Sequence, residues 1–466
     1  MSRSPVCHAG AYAEGPVPKG RRRRADAENV SHSVVRTFST KYSAAVSEPL
    51  APAGTPEKGH WPALDGLRAV AVLAVIGIHV GVLPGGYLGV DVFFVLSGFL
   101  ITALLIGEWD RRGGVSLRNF YARRALRLLP ALACVLAAAA VLAGVLELVK
   151  PASDHAYGLA TLSAIPWVII FASNFVQATH PGLLPLGALP HTWSLAVEEQ
   201  FYLVWPTLFL VLMRRRFRRG TVAGVLATLA LMDMVYRAVL ASRGYSHDRV
   251  YYSTDTHCDG LLIGCALAFW LASGQANGLG HAAARLVKAG SWAGAAVVLT
   301  MFLTGRLADS AIDIDAVVLG TAMLVTGVVL RQTPAAIDRL LCSERMVALG
   351  RRSYALYLWH DLLLGAGEAL VVPYTGLFPA AGADRILFAT MVGGAIVASF
   401  VLADLSYRFV EMPALRVKQR FSSGNLSESL LAMSAPSASS EPSPPDPGTR
   451  LATQPASSAS RRAADP

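Results

Sequence analysis

The chain reads as an all-α protein, a polytopic membrane helix bundle of about ten transmembrane helices plus one re-entrant or interfacial segment. Three observations predict this. Its 466 residues are 53% hydrophobic and only 15% charged, with a mean hydropathy of +0.45, whereas soluble domains carry about 25% charged residues. Apolar runs approaching the length of a membrane span recur at 62–82, 88–107, 128–149, 157–176, 191–213, 221–241, 257–273, 288–306, 313–331, 348–371 and 384–408. Much of the basic excess lies in short clusters beside those runs, the pattern that marks cytoplasmic loops. The formal net charge of +10 therefore orients helices, and a bilayer rather than nucleic acid is the expected partner.

Residues 1–60 are polar, with Arg21 to Arg24 in sequence and no adjoining signal-peptide hydrophobic segment. The Arg/Ser content resembles a transit peptide, but Glu14, Asp26 and Glu28 argue against one, and we expect a disordered basic cytoplasmic tail. The first apolar run carries Arg68 and His79. Eleven residues are almost three helical turns, so both side chains face one side, roughly 16 Å apart along the axis. Arg68 then starts the helix at the cytoplasmic face and His79 lies deep, towards the outer half. Ionisable groups at such depth cost at least about 2.5–3.5 kcal/mol each, so they face a bundle interior and mark function. The competing structural reading is a hydrogen-bonded core histidine with a snorkelling arginine.

The second run begins in a Gly-rich stretch with Asp91, assigned to an ion pair or hydrogen bond near the polar interior, with Ser97 and Gly98 further on. It delivers Arg111, Arg112, Arg118, Arg123, Arg124 and Arg127 to the cytoplasm. The next strongly basic loop, Arg214 to Arg219, is inside only if one of the three intervening runs does not cross. The run at 157–176, interrupted by Ser163, Pro166, Ser173 and Asn174, is the weakest, so it is the re-entrant or interfacial one. Arg331 to Arg345 and Arg416 to Arg420 then also fall inside. Ten crossings result, with both termini cytoplasmic.

In the fifth run Glu198 and Glu199 lie seven and eight residues after His191. Adjacent residues face different ways, and Glu198 is the one that shares a face with Ser194 and His191. Its structural alternative is an acid favoured near a helix N-terminus by the dipole. In the tenth run Ser353, Tyr357 and His360 share one face at i, i+4 and i+7. Residues 416–466 are rich in Ser, Pro and Ala and cannot bury enough apolar surface to fold. Of five cysteines, Cys134 and Cys265 sit within apolar runs, and no paired or metal-type spacing occurs. Neither a disulfide framework nor a zinc site is expected, and no metal is assigned.

Arg68, ten intervening residues and His79, followed by GYLGVDVFFVLSGFLI from Gly86 to Ile101, resemble the acyltransferase 3 family of integral membrane O-acyltransferases. The resemblance recurs in YARRALRLLPA (Tyr121 to Ala131), HTWSLAVEEQFYLVWP (His191 to Pro206), RSYALYLWH (Arg352 to His360) and SYRFVEMP (Ser406 to Pro413). It covers residues 61–415, and the ordered set is far more specific than any single piece. It implies ten membrane helices and a transferase of acyl groups, acetyl before others. Some family members carry an extracytoplasmic esterase-like domain after the membrane part; none is expected here, which weighs slightly against a large envelope glycan as acceptor. The segment Tyr251 to Ala268 also resembles the family, with His257 where an arginine is usual, so an anion-binding role there is in doubt and Asp255 and Asp259 are expected to be differently paired.

On this resemblance the donor is cytoplasmic acyl-CoA, used as substrate with no bound cofactor. Clustered guanidiniums bind phosphate oxygens in bidentate fashion, which makes Arg68, Arg123, Arg124 and Arg127 candidates for donor binding. For each the alternative is a positive-inside anchor. His79, Glu198 and His360 are the candidate catalytic residues, with His79 as general base on an acceptor hydroxyl. Asp91, Ser97, His191, Ser194, Ser353 and Tyr357 are the candidate supporting residues. The acceptor class is a carbohydrate, a glycolipid or a glycosylated small molecule. The rival class is a transporter or channel that uses the intramembrane Arg, His, Asp and Glu as a pathway. A requirement for acyl-CoA separates the two.

Overall fold

The computed structural model describes residues 61–149, 156–179, 186–276, 280–305, 310–375 and 383–418. The tail expected at 1–60, that expected at 416–466 apart from residues 416–418, which are helical, and most of the loop at 374–384 lie outside the described residues. Every apolar run becomes helix, and no strand occurs among the described residues. In chain order the helices are α1 (Pro62–His79), α2 (Gly89–Arg112), α3 (Leu117–Val149), α4 (Ala156–Ile169), α5 (Ser173–Thr179), α6 (Thr192–Arg214), α7 (Arg219–Ser242) and α8 (His247–Tyr252). They continue with α9 (Asp259–Ala272), α10 (His281–Thr304), α11 (Ser310–Val329), α12 (Ala335–Leu341), α13 (Glu344–Arg351), α14 (Ser353–Thr375), α15 (Ala383–Ser406) and, after a π-helical turn at Tyr407–Glu411, α16 (Met412–Lys418).

Among the described residues, eight helical stretches are long and apolar enough to cross a membrane. The seventh apolar run, expected to cross, forms only the 14-residue α9, about 21 Å long against a hydrocarbon core of about 30 Å. The run at 157–176 is broken by Phe171, whose φ is +54°. It becomes α4 and α5, of 14 and 7 residues, and by length neither crosses alone. α3 does the opposite: its 33 residues extend about 50 Å, so its arginine-rich first turns run past the bilayer thickness.

Local chemistry sets the ends that matter. Pro62 occupies the first turn of α1, where a missing N–H costs nothing. α1 stops at His79 because Gly81 turns the chain with φ +74°. The first apolar run was expected to reach residue 82, so the helix is three residues shorter than foreseen. His79 is the last helical residue, with its side chain 36% exposed.

α2 is the axis of the bundle, with Val92, Phe94, Val95, Leu96, Phe99 and Leu105 all buried. It packs closely on α9 through glycine: a Cβ on Gly98 would collide with the Leu261 carbonyl, and one on Gly264 with that of Val95. This is how membrane helices gain contact where no hydrophobic effect separates helix from lipid. α7 and α10 instead expose Val225, Leu229, Met232, Val235, Leu286, Leu299 and Leu303, apolar surface of the kind that lies against hydrocarbon.

Candidate active site

Three polar centres occupy the bundle. The first gathers the C-terminal end of α1, the start of α6 and the middle of α14. The His79 Nδ1–H donates to the Val75 carbonyl at 2.7 Å, because a carbonyl can only accept. That leaves Nε2 facing Asp361 Oδ1 at 3.4 Å. The other oxygen of Asp361 accepts from His191 Nδ1 at 3.0 Å. His360 donates through Nδ1 to the Tyr357 carbonyl at 2.7 Å, and its ring stands 5.0 Å from that of His79, edge-on. The Nε2 atoms of His360 and His191 are buried with no hydrogen-bond partner among the described residues. Beneath them Tyr357 donates its hydroxyl to the His191 carbonyl at 2.8 Å and meets Ser194 Oγ at 2.6 Å.

The second centre joins the cytoplasmic ends, by the predicted topology, of α1 and α3 to α6. Arg124 pairs with Glu199 at 3.0 Å and lies over the Tyr202 ring, 3.5 Å from its centroid. Tyr202 donates to Glu198 at 2.5 Å, and Ser97 donates to the same carboxylate oxygen. The charges of Arg68 and Arg124 both act on Arg127. No hydrogen bond or ion pair engages the guanidinium of Arg68 or Arg127 among the described residues. The Glu411 carboxylate is an electrostatic neighbour of both, and Asp65 of Arg127, but neither acid bonds either guanidinium among the described residues, so the group can still receive an oxyanion. Glu198 is also an electrostatic neighbour of Tyr357 in the first centre.

The third centre is fully internal. His257 Nε2 meets Asp91 at 2.8 Å while its Nδ1–H donates to the Tyr251 carbonyl at 2.6 Å. Buried Arg237, from α7, grips Asp259 with two bonds of 2.9 Å and also reaches Asp315. Asp255 is taken by Arg249 at 2.7 Å. Most of the buried polar atoms serve one another, which marks a structural network, although Asp91 Oδ2 and Arg237 Nε have no hydrogen-bond partner among the described residues.

A family profile described as "Acyltransferase domain" matches residues 61–408. The chain belongs to this acyltransferase family. It is 31% identical over 365 residues to the peptidoglycan O-acetyltransferase OatA of Listeria monocytogenes, covering 76% of this chain and 55% of that protein. It is likewise 31% identical over 356 residues to the O-acetyltransferase OatA of Staphylococcus aureus, covering 76% of this chain and 57% of that one. The chain thus spans about half the length of these curated relatives. No solved structure matches it.

All three centres of this acyltransferase domain lie inside the matched residues, and they redistribute the residues singled out in the sequence. His79, His191, His360, Ser194 and Tyr357 come together. Glu198 does not join them; it shares the arginine centre with Ser97, although its helix face pointed towards His191. Both Glu198 and Glu199 face polar partners there, where only one was expected to face inward, because α3 brings Arg124 against the flank of α6. Arg123 leaves the donor group. It sits about 100° around α3 from Arg124 and pairs with Glu108 at 3.2 Å. Asp91 is paired as expected, with His257 as its partner. Ser353 is buried, its hydroxyl without a hydrogen-bond partner. Asp361 was missed: an acid beside His360, within an apolar run, was a signal available in the sequence.

Proposed function

We propose that the chain is a membrane O-acetyltransferase that takes acetyl from cytoplasmic acetyl-CoA and passes it to a carbohydrate hydroxyl. One observation carries this reading: a single helix, α1, bears a cationic centre in its first half, at Arg68, and a histidine–carboxylate centre at its end, at His79, about 16 Å apart. Arg68 and Arg127, with Arg124 beside them, bind the phosphates of the donor. His79 takes the acceptor proton through Nε2, the lone-pair atom left by the Nδ1–H bond to Val75. Asp361 places its negative charge where the imidazolium forms, and His191 holds the second oxygen of Asp361 in place. Thioesters need little help in expelling the thiolate, so a base with oriented donors suffices. Peptidoglycan, named for the Listeria relative, is the first acceptor to test, ahead of glycolipids and glycosylated small molecules.

The test is release of free CoA thiol by the purified protein in lipid vesicles. Release from acetyl-CoA should require both protein and a glycan acceptor, with acetyl ester appearing on the acceptor by mass spectrometry. Uptake of substrate without thiol release would assign the chain to the transporter class instead.

The proposed topology has ten crossings and cytoplasmic termini, with the 23-residue α14 and the short α9 crossing besides the eight stretches above. Cysteine-accessibility labelling should find residues 214–219 and both tails inside, and the loop at 374–384 outside. An exterior 214–219 loop would sink this topology.

A further inference from the structure

We infer that His79, His360 and Asp361 form a binding site for a divalent transition-metal ion, and that the ion acts as an inhibitor by occupying the lone pair of the base. Potential ligand atoms of the three residues lie within 4.8 Å of one another. Ligands of a tetrahedral zinc ion stand about 3.3 Å apart when the bonds are about 2.0–2.1 Å; the 3.4 Å between His79 Nε2 and Asp361 Oδ1 already matches this, and a shift that draws His360 closer completes the set.

The hydrogen bonds around the cluster are those of a prepared site. Metal-bound histidines donate their other ring N–H to a carbonyl or carboxylate, which fixes the tautomer and aims the ligand nitrogen. Here His79 donates to Val75 and His360 to Tyr357, both at 2.7 Å. Both Nε2 lone pairs consequently point into the cluster. His360 Nε2 is buried and unpartnered, a condition that a bound cation relieves. The carboxylate has its own support, since His191 occupies Asp361 Oδ2 and leaves Oδ1 towards His79. Two imidazoles and a carboxylate suit zinc, cobalt or nickel rather than magnesium or calcium, which take oxygen ligands. The exposed side of His79 provides the path of entry.

Binding of the ion is independent of the assignment of His79 as base; inhibition rests on it. The experiment uses the full chain, purified without a polyhistidine tag, and titrates it with Co2+ while following the visible ligand-field absorption, then with Zn2+ by equilibrium dialysis. One equivalent should bind per chain. His360→Gln and Asp361→Asn, checked for insertion and thermal unfolding, should each weaken binding by at least about tenfold, while His247→Gln, at an exposed histidine on α8, should bind as the wild type does. Zn2+ should block acetyl transfer over the same concentration range, and a chelator should restore it. No saturable binding, or binding indifferent to both variants, would overturn the proposal and leave the base assignment untouched. Saturable, variant-sensitive binding with undiminished transfer would establish the metal site and refute His79 as the base.

Discussion

A correctly inserted His79→Gln protein should lose acetyl transfer by roughly 10²-fold or more in kcat, with the KM for acetyl-CoA little changed. Glutamine keeps much of the volume, and its amide can still donate to the Val75 carbonyl now bonded by Nδ1. What it lacks is a basic lone pair next to Asp361. A histidine kept for packing or hydrogen bonding would tolerate this change. The measurement is the initial rate at saturating donor and acceptor, together with labelling to verify insertion. Near wild-type turnover would end the catalytic assignment.

Replacing Arg68 and Arg127 together by alanine should raise the KM for acetyl-CoA by about 10²-fold or more, since each charge-assisted hydrogen bond contributes about 1.5–3 kcal/mol. Turnover at saturating donor should persist, because the chemistry lies about three helical turns away along α1. Arg123→Ala is the internal contrast. Its guanidinium is committed to Glu108 at 3.2 Å, so donor affinity should stay near the wild-type value. Unchanged KM in the double variant, or a large loss with Arg123→Ala alone, would return these arginines to topology signals. Direct calorimetry with CoA separates weaker binding from slower chemistry.

The helices were legible because each depends on its own stretch of chain. A run of apolar residues with few charges becomes helix wherever it sits, and all eleven runs did so, though those at 157–176 and 257–273 form helices shorter than a membrane span. The weakness of the run at 157–176 was also legible, as Pro166 and the polar residues around it anticipate the break near Phe171. Length was less legible. The first run was drawn out to residue 82 because hydropathy continues past His79, whereas the turn at Gly81 is a backbone event that hydropathy does not register. The short α9 was hidden for a similar reason: its predicted run began at residue 257, in a polar turn that serves the Arg237 network.

Within the site, the sequence by itself determined which side chains are available and which share a helix face, because helical periodicity is a local rule. That rule puts Arg68 in line with His79, and Tyr357 in line with His360. It says nothing about what stands opposite. Only the tertiary structure decided that Asp361 lies between His79 and His191, that Glu108 draws Arg123 away from Arg124, and that Glu198 turns to Ser97 and Tyr202. Such pairings depend on which faces of α1, α3, α6 and α14 meet, and therefore on close contacts such as that of Gly98 with Leu261. In a low-dielectric interior each buried charge must find a partner, and the choice among partners belongs to packing, which no single segment encodes.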